Sequence, residues 1–167
     1  VFNELSGKTW GIAGLGSIGR RVADVAKAFG CRVVYFSASG HTYDTEFKRV
    51  SFDELLENSD IISIHAPLND KPNNLFDDAA FAKMKKNAVL LNLGRGPIVN
   101  NAALTKALKE NIIAGAGLDV IDKEPIAADN PLLEIQDSSK LIITPHIAWA
   151  TYEARVRLMD EVYENIK

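Results

Sequence analysis

Short β-rich runs, several of them apolar without a break, alternate with longer helical patterns along the 167-residue sequence. The runs fall at 8–13, 32–36, 60–64, 88–92, 112–118 and 140–144. A strand with one wet face alternates apolar and polar residues, whereas a strand that is apolar throughout is buried on both faces and needs helical crossovers to cover it. The alternation therefore predicts an α/β fold with a six-stranded parallel sheet and helices on both faces. At this length one domain, 1–167, is expected.

The intervening segments carry recognisable helix ends. Ser51-Phe52-Asp53-Glu54 has capping-box spacing. Asp77 and Asp78 open a helix expected to close on Lys83, Lys85 and Lys86, which suits both ends of its dipole. Asn100 or Asn101 can cap the segment that runs to Glu110. Ala154, Val156, Met159 and Ile166 have the spacing of a final amphipathic helix, and because the sequence ends inside that pattern the chain reads as a piece of a longer protein. The longest irregular stretch, 121–139, contains Pro125 and Pro131, and loops of that length in a compact domain are often functional.

Composition removes several classes. The formal charge is -3 and Lys and Arg are not clustered, so a phosphate-tracking nucleic-acid surface is not expected. No apolar run approaches a bilayer span and no signal-type leader is present, so a cytoplasmic protein without membrane contact is expected. No metal site is expected. The one cysteine, Cys31, stands before a β-rich run and reads as a packed thiol rather than a nucleophile.

Gly14-Leu15-Gly16-Ser17-Ile18-Gly19 lies directly after the first apolar run and opens the first helix. In that setting the first glycine makes a tight turn, the second lets backbone approach a pyrophosphate, and the third lets helix pack on strand. The fold class is then a Rossmann-type doubly wound parallel sheet, and a nicotinamide dinucleotide is the expected cofactor. An NAD site usually places an acid at the end of the second strand to hold the ribose. Here Ser37 stands there, followed by Ala38, Ser39 and Gly40. The next Arg is Arg49, with His41 and Lys48 as the other cations of this loop, so NAD and NADP both stay open.

Three further segments put polar residues beyond strand ends, where open parallel sheets bind ligands: Arg95 after the fourth run, Asp119 and Glu124 after the fifth, and His146 after the sixth. Singly they read as a surface cation, a turn cap, a solvated acid and a packed imidazole. Together they are what hydride transfer at a hydroxyl-bearing carbon requires: a guanidinium for a carboxylate, an imidazole for the hydroxyl proton and a carboxylate to orient it. His65, after the third run, is the rival histidine, but no local Glu or Arg accompanies it. Trp149 either walls a pocket or packs against the last helix, with the pocket favoured.

These residues carry a resemblance. From Leu5-Ser6-Gly7-Lys8-Thr9 onward, and most specifically in Gly14–Gly19, Asn92–Asn100, Gly117–Val120 with Glu124-Pro125, and Thr144–Thr151, the sequence resembles the D-isomer-specific 2-hydroxyacid dehydrogenases. The resemblance implies that Arg95 grips the substrate carboxylate, His146 is the acid/base, Glu124 supports the imidazole and Asp119 lies by the nicotinamide. It further implies that Ser17 and Ile18 lie under the pyrophosphate, that Ala66, Pro67, Leu93 and Gly94 line the cofactor cleft, and that Ser37 stands by the ribose in place of the family's usual acid. A homodimer, a small 2-oxo or 2-hydroxy acid substrate and a substrate domain largely outside this chain follow from the same resemblance. The segment 146–150 looks most like members that reduce hydroxypyruvate or glyoxylate, with lactate-type substrates open. A dinucleotide-sensing corepressor or binding module on the same fold is the alternative, since fold alone does not establish activity.

Overall fold

The computed structural model describes residues 3–67 and 74–167. Its strands are β1 (Thr9–Ala13), β2 (Arg32–Phe36), β3 (Lys48–Arg49), β4 (Ile61–Ile64), β5 (Val89–Asn92), β6 (Gly115–Leu118) and β7 (Leu141–Ile143). All pair in parallel in the order β3-β2-β1-β4-β5-β6-β7. The helices are α1 (Ser17–Ala28), α2 (Phe52–Asn58), α3 (Asp78–Lys83), α4 (Asn101–Lys109) and α5 (Tyr152–Ile166). The order reverses at β1, and the first crossover leaves β1 through the glycine turn into α1.

The larger core lies on one face. Ile62, Leu90, Ala116 and Leu141 stand in register across four strands and pack with Leu55 and Leu56 of α2, Phe81 of α3, and Leu104 and Leu108 of α4. Leu104 and Leu108 are fully buried, each stabilising the fold by roughly 1.5–3 kcal/mol. On the opposite face Ala23 and Ala26 of α1 pack on Ile12, Val33 and Tyr35. Past β1 that face carries no helix among the described residues. The register row Leu91, Gly117 and Ile142 is half-buried to exposed, with Ile142 61% exposed. α5 contributes no buried residue. Coverage on both faces thus holds over β1 and β2, and on one face only over β5 to β7.

Three expectations need correction. The sheet has a seventh strand, β3, whose two residues are charged and exposed and pair with Val34 and Tyr35 at the edge, so no apolar run marked it. The fifth run starts later, at Gly115, because Asn111 (φ +53°) ends α4 and Ile112 N–H returns to the Ala107 carbonyl. α3 stops at Lys83, and Lys85 reaches instead to the Asp60 carboxylate at 3.0 Å. The caps are as read: Ser51 and Glu54 form both bonds of a capping box, Asp77 accepts from Ala80 N–H, and Asn100 rather than Asn101 accepts from Ala103 N–H at 2.9 Å. No described helix is long and apolar enough to cross a membrane.

Candidate active site

The glycine turn shows a division of labour. A Cβ on Gly14, whose φ is +101°, would lie 2.6 Å from the Ala66 amide nitrogen, and one on Gly19 would lie 2.1 Å from the Gly14 carbonyl. Those two glycines let the turn close against the end of β4 and on itself. Gly16 differs, because a Cβ there would meet nothing within 4 Å. It also caps α1 without a side-chain hydrogen bond and without an acid in the first turn. The first N–H groups of the helix therefore have no side-chain acceptor and open onto space, beside exposed Ser17 and Ile18. The arrangement fits a pyrophosphate.

The neighbouring loops are drawn together at the same edge. Ala66 is buried and Pro67 exposed after β4, and the Ala66 carbonyl lies 2.9 Å from where a Cβ on Gly94 would stand. The turn after β5 is braced by buried Asn92, whose Oδ1 accepts from Gly94 N–H and whose Nδ2 donates to the Arg95 carbonyl, both at 3.1 Å. Arg95 is exposed, its Nη1 donating to the Gly94 carbonyl at 2.8 Å, and Leu93 is 42% exposed beside it. A Cβ on Gly96 would fall 1.8 Å from the Ile121 carbonyl, so the Arg95 loop lies directly on the segment that leads to Glu124.

Glu124 and His146 are in contact. His146 Nδ1 is 2.8 Å from Glu124 Oε2, and Glu124 Oε1 accepts from Ile121 N–H at 3.2 Å. The hydrogen bond from His146 holds the Glu124 carboxyl below its usual range, assisted by Ile121 N–H and the His146 charge against partial burial and the Asp119 charge. With Nδ1 engaged, Nε2 is the ring nitrogen left for a substrate proton. Glu124, His146, Asp119, Ile121, Pro125, Ile126, Ile143, Thr144 and Pro145 line a cavity of about 540 Å³. Arg95 is not in that lining; its loop packs on the Ile121 segment through the Gly96 backbone.

Asp119 has a part that its position alone did not reveal. Its Oδ1 accepts from Thr144 Oγ1 at 2.5 Å and Ile147 N–H at 2.9 Å, and its Oδ2 from Ala148 N–H at 2.9 Å. Burial pushes this carboxyl up, but the bonds from Thr144, Ala148 and Ile147 and the His146 charge together bring it below its ordinary value. A single acid at the end of β6 thus ties down the loop that carries His146. That loop is strained: His146 has φ +55°, and the Trp149 indole N–H donates to its carbonyl at 2.9 Å. Trp149 lines a separate surface cavity with α5 residues such as Tyr152 and Met159, not the His146 cavity.

His65 is a different kind of histidine. Burial pushes its imidazole down to about 4. Nε2 lies 3.0 Å from Ser63 Oγ, which also accepts from the Trp10 indole, and Nδ1 is buried without a partner. A protonated ring would need an acceptor at both nitrogens, so His65 is neutral at pH 7. Among the described residues no group of His, Cys, Asp and Glu has the makings of a metal site.

Known proteins agree with this architecture. Residues 1–148 match the model of the D-isomer specific 2-hydroxyacid dehydrogenase, NAD binding domain. The chain is 44% identical over 168 residues to a glyoxylate reductase of Aeropyrum pernix, covering 98% of this chain and 49% of that protein. Among solved structures, D-lactate dehydrogenase from Aquifex aeolicus complexed with NAD and lactic acid superposes with TM-score 0.90 at 31% identity, over 99% of this chain and 54% of that one. An acyclic imino acid reductase (Bsp5) in complex with NADPH and D-Arg superposes with TM-score 0.89 at 37% identity, over 99% and 52%. The chain spans about half the length of the curated relatives it matches. Glycine turn, all-parallel order and matched segments agree, and the chain belongs to the D-isomer specific 2-hydroxyacid dehydrogenase family, whose NAD binding domain it carries.

Proposed function

We propose that this domain serves an NAD(P)-dependent oxidoreductase that interconverts D-2-hydroxy acids and 2-oxo acids. The observation that carries the reading is the Glu124–His146 pair, held at 2.8 Å on the strand edge that also presents the open Gly16 turn. A nicotinamide dinucleotide, when bound, supplies the hydride for the 2-oxo carbon. Ser17, Ile18 and the Gly14–Gly19 backbone hold its pyrophosphate, Ser37 stands by its ribose, and Ala66, Pro67, Leu93, Gly94 and Asp119 wall its cleft. His146 Nε2 gives a proton to the substrate oxygen while Glu124 fixes the ring through Nδ1. In the reverse direction the neutral ring takes that proton. Arg95, on its Asn92-braced turn, receives the substrate carboxylate through its fork.

The substrate is read as a small 2-oxo acid such as glyoxylate or hydroxypyruvate, with lactate-type acids open. The relatives are about twice as long as this chain, so we assign the other wall of the cleft, a substrate domain, to sequence outside these 167 residues. The helix-free half of the sheet supports association with that domain and with a second copy in a homodimer, and the cytoplasm is the compartment that suits these substrates. The corepressor reading gains nothing, since the relatives named above are a reductase, a dehydrogenase and a reductase.

The test is His146→Gln in the protein that contains this domain and its substrate wall. Single-turnover reduction of glyoxylate should slow at least about 100-fold while cofactor affinity stays within twofold. An unchanged hydride-transfer rate would remove His146 from the chemistry.

A further inference from the structure

We propose that the adenosine end of this site is built to receive a 2′-phosphate, with Ser37, Ser39 and Arg49 as the residues that read it, so that the domain prefers NADP(H) to NAD(H). The proposal rests on the dinucleotide reading above and narrows it.

The end of β2 is where the distinction between the two cofactors is made, because a carboxylate there bonds the ribose hydroxyls and repels a phosphate on the same sugar. Ser37 occupies that place, 6% exposed, with its Oγ 3.1 Å from Ser39 Oγ. The turn that follows closes through Gly40 N–H to the Ser37 carbonyl, with Gly40 at φ +78°, and Ser39 Oγ accepts from His41 N–H at 3.4 Å. Two neutral hydroxyls therefore stand side by side where a negative charge would exclude a dianion.

The cation comes from the edge strand. Arg49 is twelve residues from Ser37 in sequence, yet β3 pairs with β2 so that Arg49 stands opposite Tyr35, two residues before Ser37. Its guanidinium folds back over the turn: Nη2 lies 3.8 Å from the point where a Cβ on Gly40 would stand, and Nη1 donates to Thr42 Oγ1 at 2.9 Å. No ion pair to Arg49 exists among the described residues, so most of the fork is uncommitted. A planar, permanently charged fork is the side chain best matched to a phosphate.

The other basic residues of the corner are otherwise engaged. Lys48 points the opposite way, into a surface cavity shared with Glu54 and Asn58. His41 packs edge-on against Tyr43 at 4.5 Å, and Arg20 lies over the same ring at 4.9 Å while donating to the Asp44 carbonyl. Glu46, an acid of this loop, is held by Lys27 at 2.5 Å. No described carboxylate is hydrogen-bonded to Ser37, Ser39 or Arg49. A corner with one guanidinium outside any ion pair, two hydroxyls and no hydrogen-bonded acid among the described residues is complementary to a phosphate rather than to bare ribose hydroxyls.

Calorimetric titration of this chain with NADPH, NADH, adenosine 2′,5′-bisphosphate and ADP at fixed ionic strength tests the proposal. NADPH should bind at least about tenfold more tightly than NADH, and the bisphosphate more tightly than ADP, a gap of the size one charge-assisted contact supplies. Arg49→Gln, at an exposed position, should cut the NADPH-to-NADH affinity ratio about tenfold, and Ser37→Asp should invert it. Circular dichroism on both variants establishes that they fold. Equal or NADH-favouring affinity in the parent chain overturns the proposal, as does a ratio that neither substitution moves, and in those cases the dinucleotide reading stands. Binding of neither dinucleotide overturns both.

Discussion

His146 has to hold a left-handed backbone conformation that side chains with a Cβ rarely take, at a cost on the order of 1 kcal/mol or more. The loop keeps it there through Asp119, which accepts from Thr144, Ile147 and Ala148, and through the Trp149 indole on the His146 carbonyl. Among the described residues the charged partners of that segment are Glu124 and Asp119, and the bond to Glu124 orients the imidazole through Nδ1. His65 gives the sharper prediction. Its folded-state value of about 4 lies below the ordinary 6.5, so the unfolded chain binds a proton first as pH falls. Stability from this residue is complete above pH 6.5 and is lost between 6.5 and 4, by on the order of 2–3 kcal/mol. Urea unfolding at intervals across that window should show a shallower pH dependence for His65→Gln than for the parent, and parallel curves would refute it. At this scale the sequence singled out Arg95, Glu124 and His146 as polar residues beyond strand ends, and the structure brings Glu124 and His146 to 2.8 Å. The bracing was not legible, because Asn92, Thr144 and Asp119 act through backbone N–H groups and carbonyls whose partners only the fold supplies.

At the scale of elements, the site is assembled by close approach of loops. The glycine after Arg95 and the glycine at the head of α1 make opposite predictions although both are small residues in turns. Gly96→Ala would drive a Cβ into the Ile121 carbonyl at 1.8 Å, so the two loops must part at a cost of about 2 kcal/mol or more, read by chemical denaturation. Gly16→Ala meets no atom within 4 Å and has an ordinary φ of -75°, so stability should change by less than about 0.5 kcal/mol while dinucleotide affinity falls. If Gly16→Ala destabilises the fold or binds as before, the open space at Gly16 is not the phosphate cradle. Helix ends were legible where a side chain does the capping, as with Ser51, Asp77 and Asn100. They were not where the next residue had a better use, as when Lys85 left the α3 pattern for Asp60. β3 was invisible for a related reason: Lys48 and Arg49 join the sheet through backbone bonds at an edge, and no apolar side chain announces them.

Across the whole molecule, one face of the sheet is sealed and the other is sealed only at its β1–β2 end. Adjacent residues of β5 should report the difference. Leu90, fully buried under α2 to α4, should cost about 2–5 kcal/mol on change to Ala, and Leu91, on the helix-free side, less than about 1 kcal/mol in the isolated chain. Equal losses, measured by denaturant melts, would mean that the second face is covered after all. The apolar alternation announced the sheet and its parallel order, but it could not announce the bare half, because a residue awaiting a partner looks in sequence like one already buried. The strand order has another consequence. β1 is an interior strand, third from the β3 edge, and its two neighbours, β2 and β4, come from Arg32–Phe36 and Ile61–Ile64. As the polypeptide leaves the ribosome N-terminus first, β1 can pair with β2, and β2 with β3, while the other side of β1 stays open until Ile61 to Ile64 have been made. Over that interval the nascent chain exposes the very strand that launches the glycine turn, and a translational pause there would prolong its need for a chaperone.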